Sequence, residues 1–565
     1  MQANNTGMPY STPATLPTPP APAAPSVILC TLNAKYIHAS LGLRYLLANM
    51  GGLRANTLLR EFTVSRPTRD VANELLQSLG TPHADVVQVI GLGVYIWNVT
   101  QTCALVRLLK QLRPEVKIVL GGPEVSHELE GQPIVGLADH VVTGWGDITF
   151  PKLCLALLFG PQPLMKVMAG EQPPLDRIAL PYGEYTEADL AHRVLYVEAS
   201  RGCPFKCEFC LSSLDKTAWA FDLDRFLAAL DGLYRRGARN FKFVDRTFNL
   251  KIDASLRILQ FFLDRLPVGG EAHAAPGLFV HFEVIPDHLP DRLQQMIARF
   301  PSGVLQFEVG IQTFNPDVQR RISRKQDNDR TVANLRWLVE SSNAHLHTDL
   351  IFGLPGETMD SFALGFDRLL ALHPHEIQLG ILKRLRGTPI ARHSAGHGML
   401  FELAPPYTVR ETAVVSSADM RRFTRLARYW DLIANSGRFK RSLPLLLAQQ
   451  PQPDGADASA VGEADPTAPS PFYALLRFSD WLWARSGLTS GLTPEMLVDH
   501  LFDYLCRECA IDAAICKAAL LADYQASGAR ARPLALRDVM PARQAPVRKM
   551  RLARLPRRQQ HHAAL

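Results

Sequence analysis

The sequence has no uninterrupted run of about 18 apolar residues, which is the length that a membrane-spanning helix needs. Its start also has no basic segment followed by an apolar one, so it does not resemble a signal peptide. Residues 1–25 are instead rich in Pro, Ala and Thr and predict a disordered lead-in. A cytoplasmic protein without membrane contact is expected.

Cysteine is scarce as well, with nine residues in a chain of 565. An odd number of cysteines without an export signal argues against a disulfide framework, because such chains stay in a reducing compartment. A local cluster of cysteines is then better explained by metal binding or catalysis.

A general basic field is also missing, although the formal charge is +7. Ten Lys or Arg stand against one acid between Arg530 and Arg558, and this segment alone accounts for the positive excess. Nucleic acid is therefore an unlikely partner of the part of the chain that precedes this segment. We interpret residues 528–565 as a basic tail, either solvated or in contact with a partner.

Residues 26–160 alternate short β-branched runs with helical patterns, which predicts a doubly wound parallel sheet in an α/β fold. Glycines follow the predicted strands, where ligands of such sheets bind and where a missing side chain lets the backbone approach them. They are Gly93, Gly121, Gly122, Gly144 and Gly146.

A Pro-rich linker, 161–188, precedes a second alternating region, 189–417. Its six strand-like runs, from "RVLYVEAS" to "EIQLGIL", predict a partial (βα)6 barrel of the TIM type, with its site at the carboxyl ends of the strands. Residues 418–527 predict a helical C-terminal domain that is interrupted by a disordered insert at 449–470.

Three cysteines, Cys203, Cys207 and Cys210, follow the first of these strands in "RGCPFKCEFC". A structural zinc site needs four ligands, and no further Cys or His lies nearby in the sequence. On a 4Fe-4S cube, three thiolates leave one iron open to a chelating ligand.

This motif resembles the signature of the radical S-adenosylmethionine (SAM) enzymes. The resemblance implies that the three cysteines hold a 4Fe-4S cluster, whose open iron is chelated by SAM, and that the reduced cluster cleaves SAM to a 5′-deoxyadenosyl radical. It implies a partial (βα)6 barrel, a place for Phe209 near the adenine, and an electron donor such as flavodoxin or ferredoxin.

Two further segments are similar to strands of that family. "FEVGIQTF" implies that Glu308 lies near the SAM ribose, and "DLIFGLPGET" implies that the backbone at Gly353 passes the adenine. The chain departs from the family at "VDRTFN", where many members carry Gly-Gly-Glu. Asp245 or Glu283 is a candidate for that role, and an ion pair with a barrel Arg or Lys is the alternative for all three carboxylates.

The N-terminal domain resembles the cobalamin-binding domain of a branch of this family. "VLGGPEVS" and "VVTGWGDITF" are the matching segments, and they imply that Gly121, Gly122, Gly144 and Gly146 contact the cofactor. The Asp-x-His-x-x-Gly motif is absent, so cobalamin is expected to bind without a protein histidine on cobalt. We interpret His38 as a structural residue.

The expected function is a radical SAM enzyme that transfers a methyl group with cobalamin or modifies an unknown substrate in another radical reaction. A non-catalytic cobalamin or redox sensor and a tRNA-modifying enzyme are the alternatives. Cys506, Cys509 and Cys516 share one face of a helical pattern, which favours buried helix cysteines over an auxiliary cluster.

Overall fold

The computed structural model describes residues 25–81, 87–266, 277–448, 470–529 and 531–540. The predicted lead-in up to residue 24, the insert from 449 to 469 and the tail beyond 540 lie outside the described residues. Within these ranges, no helix has both the length and the apolar character that crossing a membrane requires.

The N-terminal domain is a parallel sheet of six strands in the order β2-β1-β3-β4-β5-β6. The strands are β1 (Val27–Asn33), β2 (Thr57–Thr63), β3 (Val89–Gly93), β4 (Lys117–Gly121), β5 (His140–Thr143) and β6 (Val167–Ala169). The helices that connect them are α1 (Leu41–Ala48), α2 (Thr68–Leu79), α3 (Val99–Leu112), α4 (Pro133–Leu137) and α5 (Thr149–Phe159).

Separate hydrophobic cores on the two faces of this sheet explain its continuous apolar strands. Along β1, Val27 and Leu29 pack with α1 and α5, whereas Ile28, Cys30 and Leu32 pack with α2 and α3. Successive strand side chains point to opposite faces, so a strand covered by helices on both sides is apolar throughout. The predicted doubly wound sheet is confirmed.

The second domain is an open barrel. Helix α6 (Glu187–His192) leads into β7 (Leu195–Val197), and a short antiparallel ribbon of β8 (Ser200–Arg201) and β9 (Trp219–Ala220) follows. The remaining strands are β10 (Asn240–Phe243), β11 (Phe279–Val284), β12 (Leu305–Gln312), β13 (His345–Phe352) and β14 (Glu376–Ile381). They form one parallel sheet with β7 and β14 at its edges, so all six predicted strands are present.

Helices alternate with these strands and continue into the C-terminal part. They are α7 (Leu223–Arg235), α8 (Ile252–Leu263), α9 (Asp291–Ile297), α10 (Pro316–Arg321), α11 (Asn328–Ser341), α12 (Met359–Leu370) and α13 (His393–Gly396). A small hairpin of β15 (Leu400–Phe401) and β16 (Val409–Glu411) precedes α14 (Ser417–Ile433), α15 (Leu443–Leu447), α16 (Pro471–Ser486), α17 (Pro494–Arg507) and α18 (Ala513–Ala526).

Neighbouring parts of the chain cover both edges of the barrel sheet. Beside β7, the N–H of Val194 donates to the carbonyl oxygen of Ile37 at 2.9 Å. Beside β14, the side chain of Asn435 accepts from the N–H of Ile377 at 3.0 Å and donates to its carbonyl oxygen at 2.9 Å. Uncovered strand edges can pair with other chains. These contacts occupy backbone groups at both edges, so the sheet is protected although the barrel stays open.

Candidate functional site

The loop that carries the three cysteines begins directly after β8. Gly202 turns the chain there with a φ of +86°, and a Cβ at this position would lie 2.6 Å from Oγ1 of Thr217. The N–H of Cys203 then donates to the carbonyl oxygen of Asp215 at 2.8 Å. Cys203, Cys207 and Cys210 all line one cavity of about 240 Å³ at the carboxyl ends of the barrel strands. The structure therefore brings the three predicted ligands together.

The donor set of this cavity fits an iron-sulfur cluster. All three thiols are free. Burial raises the pKa of the Cys207 thiol, and the guanidinium of Arg324, whose Nη1 lies 3.7 Å from the sulfur, opposes that effect and favours the thiolate that binds iron. In the described part of the chain, no three His, Cys, Asp or Glu side chains converge to hold a single metal ion. Thiolates that bind three different irons of a cube need no such convergence.

Two of the predicted carboxylates, Glu283 and Glu308, line the same cavity from adjacent strands. Glu283 accepts from Nη1 of Arg246 at 2.7 Å, and Glu308 lies 3.0 Å from Nε2 of His281. Burial raises the pKa of both carboxyls, but His281 and Lys242 outweigh it at Glu308 and hold that pKa below its usual value. Glu308 is consequently ionised, and both carboxylates have the Arg or Lys partner that the alternative interpretation expected: Arg246 for Glu283 and Lys242, whose Nζ is 3.3 Å away, for Glu308.

Asp245 is not brought together with them. It is buried, and its carboxylate accepts from the N–H of Ala199 at 3.0 Å and from Oγ of Ser200 at 2.5 Å. Burial raises its pKa to about 7. Asp245 thus fixes the end of the first barrel strand and lines a separate, smaller cavity, while the next residue, Arg246, lines the cysteine cavity.

Phe209 lines the cysteine cavity as predicted, and several further lining residues were missed by sequence reasoning. Asp349 stands near the end of β13, a position that the rule for barrel sites could have identified. Gln312 has a φ of +72° at a bulge in β12, and a Cβ at Gly310 would lie 2.5 Å from its Nε2. No sequence signal points to Arg246, Arg324 or Lys325.

Gly353 lies in the turn after β13, outside the lining of the cysteine cavity. Its φ is +86°, and a Cβ there would lie 2.5 Å from Cγ1 of Val409. In the same turn, the buried carboxyl of Glu357 accepts a hydrogen bond from the hydroxyl of Thr313. This contact joins the two segments, "FEVGIQTF" and "DLIFGLPGET", that carry the family resemblance.

The stability of this turn is expected to depend on pH. Burial raises the pKa of Glu357 from 4.5 to about 8. The folded state therefore binds the proton more tightly than the unfolded state, and the free energy of unfolding should fall between about pH 4.5 and 8, by at most roughly 1.4 kcal/mol per pH unit from this group. Denaturant unfolding of Glu357→Gln should be less sensitive to pH in this window than that of the wild type. An identical pH dependence in the two proteins would contradict the assignment.

Glu208 anchors the middle of the cysteine loop. Its buried carboxylate accepts from Oγ of Ser323 at 2.6 Å, pairs with Arg392 and lies 2.8 Å from Nε2 of His393. Its backbone N–H donates to the carbonyl oxygen of Ile322 at 3.0 Å, and its carbonyl accepts from the N–H of Ile390 at the same distance. Glu208 thereby fixes the loop to two other segments of the barrel domain.

A second cavity, of about 300 Å³, lies at the carboxyl ends of β3, β4 and β5 in the N-terminal domain. The four glycines that the family resemblance assigns to the cofactor line it: Gly121, Gly122, Gly144 and Gly146. Gly91, Gly93 and several apolar or aromatic side chains complete the lining. At Gly122, with a φ of +107°, a Cβ would lie 2.5 Å from the carbonyl oxygen of Val94. Where the glycines line the cavity, the missing side chains let a flat ligand such as a corrinoid approach the backbone closely.

Histidine is not among the described residues that line this second cavity. His38 lies outside both linings, and its Nδ1 is 2.7 Å from the hydroxyl of Tyr196, at the bridge between Val194 and the N-terminal domain. This position agrees with the structural interpretation of His38.

The cysteines of the C-terminal helices pack with apolar side chains. Cys516 is buried in the main hydrophobic core, and Cys506 and Cys509 are partly buried against it. This packing agrees with the interpretation for Cys506 in α17 and Cys516 in α18, whereas Cys509 follows the end of α17 and is not a helix cysteine.

Two protein families match the chain. The radical SAM superfamily matches residues 197–365, and the B12 binding domain matches residues 28–154. The first match contains the cysteine cavity's three thiols and the second contains the glycine-lined strand ends.

Relatives with assigned names match over part of the chain. The cobalamin-dependent radical SAM methyltransferase TokK of Streptomyces tokunonensis is 26% identical over 330 residues, which are 52% of this chain and 47% of TokK. An uncharacterised methyltransferase of Pyrococcus horikoshii is 33% identical over 187 residues, 28% of this chain and 40% of that protein. The matches thus cover less than half of either relative.

Solved structures show the same fold over most of the chain. The radical SAM methyltransferase TsrM of Kitasatospora setae, with tryptophan and a SAM analogue bound, matches with a TM-score of 0.52 and 15% identity, covering 81% of this chain and 95% of TsrM. The cobalamin-dependent radical SAM enzyme OxsB, in its apo form, matches with a TM-score of 0.55 and 14% identity, covering 89% of this chain and 83% of OxsB.

Proposed function

Because the chain belongs to the radical SAM proteins that carry an N-terminal B12-binding domain, we propose that it is a cobalamin-dependent radical SAM methyltransferase. Its cofactors are those of the two families: a 4Fe-4S cluster with SAM in the barrel, and cobalamin in the N-terminal domain. The observation that carries the proposal is the presence, in one chain, of a cavity lined by three free cysteines and a second cavity lined by glycines.

In the proposed mechanism, Cys203, Cys207 and Cys210 would hold the cluster, which would supply the electron that cleaves SAM. The aromatic ring of Phe209 would contact the adenine, and the ionised Glu308 would accept hydrogen bonds from the ribose hydroxyls. Arg246, held by Glu283 at 2.7 Å, would offer a cation to the SAM carboxylate.

In the N-terminal domain, the backbone at Gly121, Gly122, Gly144 and Gly146 would support the corrinoid, and no histidine is among the described residues that line this cavity. Asp245 has an indirect role in this proposal: it does not contact the cofactors but fixes the strand end that precedes the cysteine loop.

The substrate is proposed to be a small molecule, held in the space that continues from the cysteine cavity towards β13 and β14. Phe209, Glu308, Gln312 and Asp349 line both parts of this space. An external donor, such as a flavodoxin or a ferredoxin, is proposed to reduce the cluster.

The test is to reconstitute the cluster without oxygen and to add SAM, a reductant and hydroxocobalamin. We expect 5′-deoxyadenosine from SAM cleavage, and S-adenosylhomocysteine from transfer of a methyl group to the corrinoid. If neither product forms from protein that carries both cofactors, the catalytic proposal is wrong, and intact SAM would favour a sensor.

A further inference from the structure

One group of side chains in the second cavity comes from both domains. Tyr45, Trp145 and Asp147 of the N-terminal domain and Glu198 and Arg201 of the barrel domain line this glycine-rich cavity. Arg201 is also two residues before Cys203, the first cysteine of the other cavity. These five residues, here called the shared wall because both domains contribute to it, therefore lie next to the cysteine loop.

Arg201 is held firmly within the shared wall. Its guanidinium donates to Asp147 and to Glu198, both at 2.8 Å, and only 14% of its side chain is exposed. It also lies over the rings of Tyr45 and Trp145, at 4.6 and 4.7 Å from their centres. A planar cation with two carboxylates and two aromatic rings around it has little freedom to move.

The shared wall reaches the cysteine loop through a second contact. Nε1 of Trp145 donates to the carboxylate of Asp215 at 2.7 Å, and the carbonyl oxygen of Asp215 accepts from the N–H of Cys203 at 2.8 Å. Oγ1 of Thr217 also donates to the carbonyl oxygen of Arg201 at 3.2 Å. Trp145, which lines the second cavity, is thus joined through Asp215 to the backbone of Cys203.

We propose that Arg201 is a positioning residue through which the occupant of the N-terminal cavity acts on the cysteine loop. The inference rests on the proposed function, because it takes a corrinoid to be that occupant. A corrinoid in the cavity contacts the same side chains that set the position of Cys203. Its binding then changes how the cluster on that loop binds SAM, and SAM changes the affinity for the corrinoid by the same factor.

The experiment measures the dissociation constant of SAM for protein with a reconstituted cluster, with and without hydroxocobalamin, and the electron paramagnetic resonance spectrum of the reduced cluster in the same samples. In the wild type, hydroxocobalamin should change SAM affinity by about five-fold or more, and in Arg201→Lys by less than about two-fold. Lysine keeps the charge but cannot make two planar hydrogen bonds or stack on both rings.

Arg54→Lys is the matched control. Arg54 also makes a bidentate ion pair at the domain boundary, with the carboxylate of Glu184 at 2.6 and 3.0 Å, but it does not line the second cavity. This variant should keep the wild-type change in affinity. Trp145→Phe removes the donor to Asp215 and keeps a ring beside Arg201. Hydroxocobalamin should change its SAM affinity by less than in the wild type, and this variant replaces Arg201→Lys in the test if that variant does not fold.

The inference would be overturned if hydroxocobalamin changed the SAM affinity of Arg201→Lys as much as that of the wild type. It would also be overturned if hydroxocobalamin did not change the SAM affinity of the wild type. A wild type that binds neither SAM nor hydroxocobalamin would instead contradict the proposed function itself, and with it this inference.

Discussion

Replacing Cys207 by alanine is expected to reduce the iron content of reconstituted protein from about four atoms per chain to near zero. The same loss is expected for Cys203→Ala and Cys210→Ala, because all three thiolates are needed to hold the cube and no further Cys and no His is among the described residues that line the cavity. SAM cleavage should disappear with the iron. Iron analysis and the optical spectrum of the anaerobic protein measure the loss of the cluster, and 5′-deoxyadenosine formation measures the loss of SAM cleavage.

The control variants for this prediction are Cys103→Ala in α3 and Cys509→Ala beyond α17, both of which change partly buried cysteines outside the cavity. They should retain full iron content. Iron loss in Cys509→Ala would instead indicate an auxiliary cluster in the C-terminal helices, and full iron content in Cys207→Ala would disprove the assignment of the cysteine loop.

Replacing Gly121 by phenylalanine is expected to remove cobalamin binding and leave the cluster in place. A Cβ at Gly121 would have one neighbour, the carbonyl oxygen of Val142 at 3.7 Å, so a side chain can be built there without moving the backbone. A phenyl ring would then occupy part of a cavity of about 300 Å³. The overlap should weaken hydroxocobalamin binding by at least about 100-fold, or roughly 2.7 kcal/mol.

Gly136→Phe, on an exposed turn of α4 where a Cβ would have no neighbour within 4 Å, is the matched control and should bind hydroxocobalamin normally. Absorbance of the bound corrinoid after gel filtration measures the effect, and iron content checks that the barrel is intact. Unchanged corrinoid binding in Gly121→Phe would show that the glycine-lined cavity is not the cobalamin site.

Much of the fold can be predicted from the sequence because most strands are buried on both faces and appear as continuous apolar runs. β2 escapes this rule, since Arg60 and Glu61 interrupt it at the edge of the sheet, where the strand is only partly buried. The charge of Glu61 has a structural explanation: it forms a buried ion pair with Arg44 at 2.8 Å. β6 has only three residues and falls in the segment 161–188 that we interpreted as a linker, whereas it pairs with β5 in the N-terminal sheet.

The candidate site is predictable where its residues are close in sequence, as the three cysteines are. It is not predictable where the barrel brings distant residues together. Arg324 reaches Cys207 from a loop 117 positions away, and nothing in the local sequence marks it. Asp245 was one of two candidates for the cofactor role; its oxygens accept from the N–H of Ala199 and the hydroxyl of Ser200, which its strand-end position in the sequence does not reveal.

The five glycines that follow strands of the N-terminal domain were predicted to mark a ligand site, and all five line one cavity. The shared wall could not be foreseen, because Arg201 and Asp147 lie in different domains and meet only through tertiary packing.

The most direct test of the account is to count iron and cobalt in one sample. The wild-type chain is reconstituted without oxygen with iron, sulfide and hydroxocobalamin, and unbound material is removed by gel filtration. The account predicts about four irons and about one cobalt per chain in the same protein peak. Protein that is folded but retains no iron, or retains iron and no cobalt, would contradict it.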